Sequence, residues 1–181
     1  MDSDLQYILG ALEDGCLYID YERRDYRVVI VQKNRDWLEY SLKPRFRKLF
    51  NVRTVIRKRK NGLWELRIYS REVVEALRNY LDNLDNIELD IHYIAGFYDA
   101  EGDKALKRIR IWSKNLSKLK RIAKILEKYM INYSIYLDDK RHNIYCLEVT
   151  AYSKIRFLKI IPLEHPKIMA HAHRPRKFRR A

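Results

Sequence analysis

The chain has 181 residues, 38 Lys and Arg against 24 Asp and Glu, and a formal net charge of +14. That length holds one sizeable core or two small ones, and the charge points to a polyanionic partner, most economically nucleic acid, with a membrane face as the weaker reading. No apolar run approaches the roughly 20 residues of a spanning helix, the start MDSDLQ is acidic where a secretory signal is basic, and Cys16 and Cys146 form neither a disulfide framework nor a zinc spacing. The expectation is a cytoplasmic, intracellular protein with two buried thiols.

Leu5, Ile8, Leu9 and Leu12 take spacings i, i+3, i+4, i+7 and predict an amphipathic helix over 5–14, ending in YILGALEDG at 7–15. Strands are expected at 16–21 and 26–33 around the charged turn 22–25, then a helix over 35–50. A hairpin follows, 53–59 and 63–69, turned at Asn61-Gly62. A helix over 71–83 closes this half, and a polar, acidic seam at 84–89 leads into a second copy. There Ile91, Ile94, Ala95 and Tyr98 repeat the first spacing 86 positions on (91 − 5), in a helix over 90–101 that carries YIAGFYDAEG at 93–102. Gly10 and Gly96 obey the same offset (96 − 10 = 86). A glycine inside a helix costs about 1 kcal/mol against alanine, so a matched pair suggests that the two helices approach closely. The second copy is expected to repeat the strand pair, with 106–113 alternating Arg108, Arg110 and Trp112 against Ile109 and Ile111, one face for the core and one for a partner. A helix over 115–130, a hairpin of 133–138 and 144–150 turned at 140–143, and a helix over 152–161 complete it. The order α-β-β-α-β-β-α, twice, makes this an α+β chain with halves at 1–86 and 87–163 and a loose, basic C-terminal tail at 164–181.

These residues carry a family resemblance. The twin segments, the run Glu101-Gly102-Asp103-Lys104 continuing to LKRIRIWSKN, the stretch RVVIVQK at 27–33 and LDDKRH at 137–142 resemble the LAGLIDADG homing endonucleases, the archaeal intron-encoded single-chain type in particular. The resemblance implies two pseudo-twofold-related αββαββα halves, with the motif helices at the interface and saddle-shaped antiparallel sheets lying in the major groove of DNA. It implies a monomer that makes a divalent-metal-dependent double-strand cut across the minor groove of a long target, with short 3′ overhangs. Two alternatives stand beside it: an RNA maturase that assists folding of its own intron with the same basic surface, and a repressor-like DNA-binding module without chemistry.

One departure concerns the site. The family places four residues between the motif glycine and its acid, as between Gly96 and Glu101, but only three separate Gly10 from Asp14. Strict offset sets Asp14 opposite Ala100 and Gly15 opposite Glu101. Either the first helix ends early, so that Asp14 serves as the first-half acid before a left-handed exit at Gly15, or Glu13 substitutes with its longer arm. Asp14 and Glu101 are hard oxygen ligands suited to Mg²⁺, with Mn²⁺ or Ca²⁺ in the same sites, and Gly15 and Ala100 belong to the same metal site. By the resemblance, Lys104, Lys33 and Gln32 line the water network around the metal and act in catalysis. No zinc is expected, since His165, His171 and His173 sit in the Pro-containing tail and His92 and His142 read as structural or surface groups.

For DNA, the strand arginines Arg27, Arg53, Arg57, Arg59, Arg67, Arg108 and Arg110 are candidates for base edges, whereas Lys58 and Lys60 suit phosphate. Tyr69, Trp112 and Tyr136 are candidates for sugar or thymine methyl contacts, sheet packing being the plainer role of a strand aromatic. Lys140 and Arg141, with the tail residues Arg174, Arg176, Lys177, Arg179 and Arg180, suit flexible phosphate contacts.

Overall fold

A computed structural model describes residues 1–13 and 15–172 of the chain. Asp14, the side chains of His171 and Ala172 and everything from His173 on, including the tail arginines, lie outside the described residues.

The first half runs α1 (Ser3–Leu12), β1 (Cys16–Asp20), β2 (Asp25–Gln32), α2 (Arg35–Trp37), α3 (Lys43–Phe50), β3 (Val55–Lys58), β4 (Trp64–Tyr69) and α4 (Arg71–Asp82). The second runs α5 (Ile91–Glu101), β5 (Ile109–Ser113), α6 (Leu116–Lys128), β6 (Tyr133–Asp139), β7 (Ile144–Val149), α7 (Lys154–Ile160) and α8 (Pro166–Ala172). All strand pairs are antiparallel, in the orders β1-β2-β4-β3 and β5-β7-β6. The alternation expected of half-buried strands is present: Val28, Ile30, Leu66 and Ile68 in one sheet, and Ile109, Ile111, Leu147 and Val149 in the other, are buried on the face that packs with the helices. The Asn61-Gly62 hairpin forms, with Gly62 at φ +82° and its N–H donating to Arg59 O at 3.0 Å.

The helices α1 and α5 are buried along almost their whole length and pack backbone to backbone. A Cβ built on Gly10 would lie 2.1 Å from Tyr93 O, and one on Gly96 would lie 2.0 Å from Tyr7 O. The paired glycines therefore exist because each helix occupies the space where the other's side chain would be. Reciprocal contacts of this kind are what a pseudo-twofold axis between the helices produces.

Three differences from the sequence reading have physical causes. The second sheet has three strands, because only six residues (103–108) lie between Gly102 and β5 where the first half has nine (16–24) between Gly15 and β2. The counterpart of β1 is thus absent, and a single backbone bond, Asp103 N–H to Arg110 O at 3.0 Å, remains in its place. The rod over 35–50 is interrupted by a π-helical turn, Leu38–Leu42, since Pro44 has no N–H to continue the α-helical ladder. The segment after 163 is not loose up to residue 172: Glu164 ion-pairs with Arg45 at 2.5 Å, His165 packs buried against Trp37, and α8 follows. Cys146 is buried as expected, but Cys16, at the start of edge strand β1, is exposed. No helix among the described residues is long and apolar enough to cross a membrane.

Candidate active site and nucleic-acid face

The offset of 86 holds to the ends of the paired helices. Tyr7 OH donates to Asp99 Oδ2 at 2.6 Å, and its mate Tyr93 OH donates to Glu13 Oε1 at 2.6 Å. Glu13 and Asp99 are therefore counterparts, each held by the other helix. Glu13 is also ion-paired to Lys118 at 2.8 Å and Arg121 at 3.0 Å, and its side chain is almost fully buried. Its carboxylate is therefore engaged at the helix interface, while Asp14, the other first-half acid, lies outside the described residues. Helix α1 does end early: it stops at Leu12, whereas α5 runs to Glu101, the equivalent of position 15 (101 − 86).

Burial of Asp99 pushes its carboxyl up to about 6 despite the hydrogen bonds from Tyr7 and the Glu164 N–H. Its Oδ1 is buried without a hydrogen-bond partner among the described residues. Asp99 and Glu13 thus anchor the two helices immediately before their tips.

At the tip of α5, Glu101 is half-buried and lines a cleft of about 380 Å³ together with Glu13, Trp112, Ser113, Lys114 and Lys118. Gln32, at the end of β2 in the first half, donates from Nε2 to Ala100 O at 2.8 Å and accepts the Lys33 N–H at Oε1. A first-half side chain thereby fixes the carbonyl next to Glu101. Gly102 is extended, at φ −69° and ψ 162°, so glycine is needed there for room: a Cβ would fall 2.4 Å from the Tyr98 ring. The Lys104 amine donates to Tyr98 O at 2.9 Å and Gly102 O at 2.8 Å, folding back under the tip. Burial lowers its pKa to about 8, against the pull of Asp99, Glu101 and Asp103. Lys33 is exposed at the strand end.

The structure adds two residues to this neighbourhood. β2 and β5 are corresponding strands, and beyond them Asn34 and Asn115 cap α2 and α6, an offset of 81 (115 − 34). Ser113 and Lys114 are thus the counterparts of Gln32 and Lys33, and both line the cleft. The shared Lys-Asn after each strand was the available signal, but the strand offset differs from that of the helices and hides it.

The donor set suits a hard divalent cation, as Glu101 offers a carboxylate and Ala100 an oriented carbonyl at one helix tip. No group of three or more His, Cys, Asp or Glu able to hold a metal occurs among the described residues, and Asp14 lies outside them. Gly15, half-buried after α1, donates its N–H to Leu12 O at 2.9 Å.

The outer sheet faces carry most of the expected basic residues. In the first half, Arg57, Arg59 and Arg67 surround Glu65, Arg27 pairs with Asp25 at 2.7 Å and stacks over Tyr18, and Tyr69 is exposed beside Arg67. Arg53 lies apart, before β3, in a shallow cleft with Lys43 and Arg47. In the second half, Arg108 reaches Glu148, Arg110 bonds Asp103 at 3.0 Å and stacks over Trp112, Trp112 Nε1 donates to Asp138, and Tyr136 OH donates to Glu148. Lys140 and Arg141 are exposed in the β6–β7 turn, which Asp139 closes by accepting the Arg141 and His142 N–H groups.

The family model described as a LAGLIDADG-like domain matches residues 88–162. The chain is 36% identical to homing endonuclease I-DmoI of Desulfurococcus mucosus, over 88% of this chain and 87% of that protein. It is 29% identical to homing endonuclease I-ApeI of Aeropyrum pernix, over 90% and 82%. The solved structure of I-DmoI in complex with DNA and Ca matches with a TM-score of 0.83 at 32% identity, covering 95% of this chain and 98% of that one. I-DmoI has also been solved with DNA and Mn, and a variant of it with target DNA in the presence of Mg.

Proposed function

The chain belongs to the LAGLIDADG homing endonuclease family, and from that premise we propose that it is a monomeric, site-specific DNA endonuclease cutting both strands of a long duplex to leave short 3′ overhangs. The observation that carries this reading is the junction of the halves at the α5 tip, where Gln32 from one half orients Ala100 of the other beside Glu101 and the buried Lys104. The carboxylates of Asp14 and Glu101, with the Ala100 carbonyl and the neighbouring Gly15, would hold Mg²⁺, and Mn²⁺ or Ca²⁺ would fit the same oxygen donors. A divalent cation bound there supplies charge neutralisation at the phosphate and a water of lowered pKa.

The chain's own groups do the rest. Gln32 keeps the carbonyl aimed, and Lys104, fixed by two carbonyls of its own turn, faces developing negative charge without a reorganisation cost. Lys33 and Lys114, at matching strand ends, orient water and backbone phosphate in the two strands. Arginines and aromatics on the sheet faces meet base edges and sugars, and Lys140 and Arg141 meet phosphate.

The test is cleavage of duplex DNA spanning candidate insertion junctions, with Mg²⁺ or with chelator. The expected result is a double-strand cut at one position, abolished by chelator. Glu101→Gln should retain binding and lose at least about 10²-fold in cleavage. Undiminished double-strand cutting by that variant would overturn the assignment.

A further inference from the structure

Glu65 is a carboxylate where a DNA-facing surface has least use for one. It lies on β4, the central strand of the first sheet, on the face opposite the buried Leu66 and Ile68. Its side chain is 0% exposed, yet no apolar core covers it. Three guanidinium groups do: Arg57, its cross-strand partner on β3, hydrogen-bonds Oε1 through Nε; Arg59 Nε lies 3.3 Å from Oε2; and Arg67 Nε lies 2.9 Å from Oε1, with Nη2 donating to Oε2 at 3.3 Å. Around this hub lies an open groove of about 610 Å³ lined also by Lys58, Lys60 and Asn61.

The burial of the three arginines is graded. Arg67 is 15% exposed, with Nη1 donating to Tyr69 OH at 3.3 Å, whereas Arg57 and Arg59 are 54% and 43% exposed. Arg57 and Arg59 meet the carboxylate through Nε, which leaves the terminal Nη1/Nη2 edge, the one that matches guanine O6 and N7, to an outside partner. Without the acid, three neighbouring positive charges would repel one another and swing freely, and a free guanidinium binds any phosphate. Among the described residues the second sheet shows no such hub, Arg110 being held by Asp103 and Arg108 by Glu148.

We propose that Glu65 is a specificity-determining positioning residue, a buried carboxylate that aims Arg57 and Arg59, with Arg67 behind them, at base edges in the half of the target met by the first sheet. The proposal rests on the DNA-cleaving reading above and deepens it. Glu65 touches no base. It turns mobile phosphate contacts into oriented ones, and its negative charge tempers sequence-independent attraction.

The test compares the native chain with Glu65→Gln on a duplex library randomised across the target and cleaved with Mg²⁺, the base preference being read at each position. Preference should fall about 10-fold at a contiguous group of positions in one half of the site and stay unchanged in the other. The plot of log affinity against log salt for non-specific duplex should steepen by about one, for the one positive charge gained. Glu65→Asp, which withdraws the carboxylate by one methylene, should flatten the same positions less, and it carries the test if Glu65→Gln shows no cooperative melting. Arg57→Lys should flatten a subset of them. Unchanged preference in both Glu65 variants, or a loss spread evenly over both halves, overturns the proposal. A native chain that yields no sequence preference at all overturns the endonuclease reading instead, and is recognised because no profile then exists to compare.

Discussion

Gly10 and Gly96 pose the sharpest single-residue question, because local preference and tertiary contact give opposite answers. Alanine is favoured over glycine in a helix by about 1 kcal/mol, but a Cβ at either position would sit about 2 Å from a carbonyl oxygen of the other helix. Gly10→Ala and Gly96→Ala should each destabilise by about 2 kcal/mol or more in urea unfolding, whereas a gain would show that the helices do not touch. His165 offers a second residue-scale prediction. Its ring is 2% exposed against Trp37, and burial with Lys104 and Lys167 nearby lowers its pKa to about 4 from 6.5. The unfolded chain therefore takes up a proton between those values that the folded chain refuses, so this contribution to stability is complete above pH 6.5 and is lost as pH falls toward 4. Asp99, held up to about 6, runs the other way, its contribution being present in acid and lost as pH rises through 6. The difference between the native chain and His165→Asn isolates the imidazole: it should grow by about 2–3 kcal/mol from pH 4 to 6.5, and a flat difference would place the ring in water.

Between elements, the matched Tyr–acid pairs lock α1 to α5, but they are not equally supported. Tyr7 OH donates to Asp99 and also accepts from Trp37 Nε1 at 2.8 Å, so its loss strands the buried indole N–H and leaves the buried Asp99 Oδ2 with the Glu164 N–H as its remaining donor. Tyr93 OH donates to Glu13, which keeps Lys118 and Arg121 in its absence. Tyr7→Phe should therefore cost about 2 kcal/mol and Tyr93→Phe about 1 kcal/mol or less in chemical denaturation, and equal costs would contradict this account. Element order was readable because hydrophobic period changes from 3.6 to 2 and back along the chain. The missing strand between α5 and β5 was not, because the alternation over 106–113 does not reveal that six residues are too few for a hairpin arm and its turn. The ordered segment at Glu164 and His165 is illegible for a related reason: two prolines and three histidines look like a tail until Arg45 and Trp37, more than 100 positions earlier in the chain, come into place to receive Glu164 and His165.

For the whole molecule, a net charge of +14 and two basic sheet faces make affinity for duplex DNA steeply salt-dependent, with a log–log slope near 0.9 per neutralised phosphate. Replacing Lys140 and Arg141 together by Ala should reduce that slope by about two and weaken all sequences alike; a change in base preference would move these residues from phosphate to base contact. Sequence alone determined the class of the molecule: the duplicated helix with its glycine, the acid-glycine junction and the arginines alternating along strands are local patterns, and helix and strand periodicity are written locally. What only the tertiary structure decided was the use of each charge. Glu13 and Glu101 look alike in the chain and both line the cleft, yet Glu13 sits between Tyr93, Lys118 and Arg121 at the helix interface while Glu101 stands at the α5 tip beside the carbonyl that Gln32 holds. Glu65, unmarked in the sequence, becomes the centre of three arginines. A carboxylate's role depends on which cations and which water reach it, and those neighbours are assembled from distant parts of the chain only when it folds.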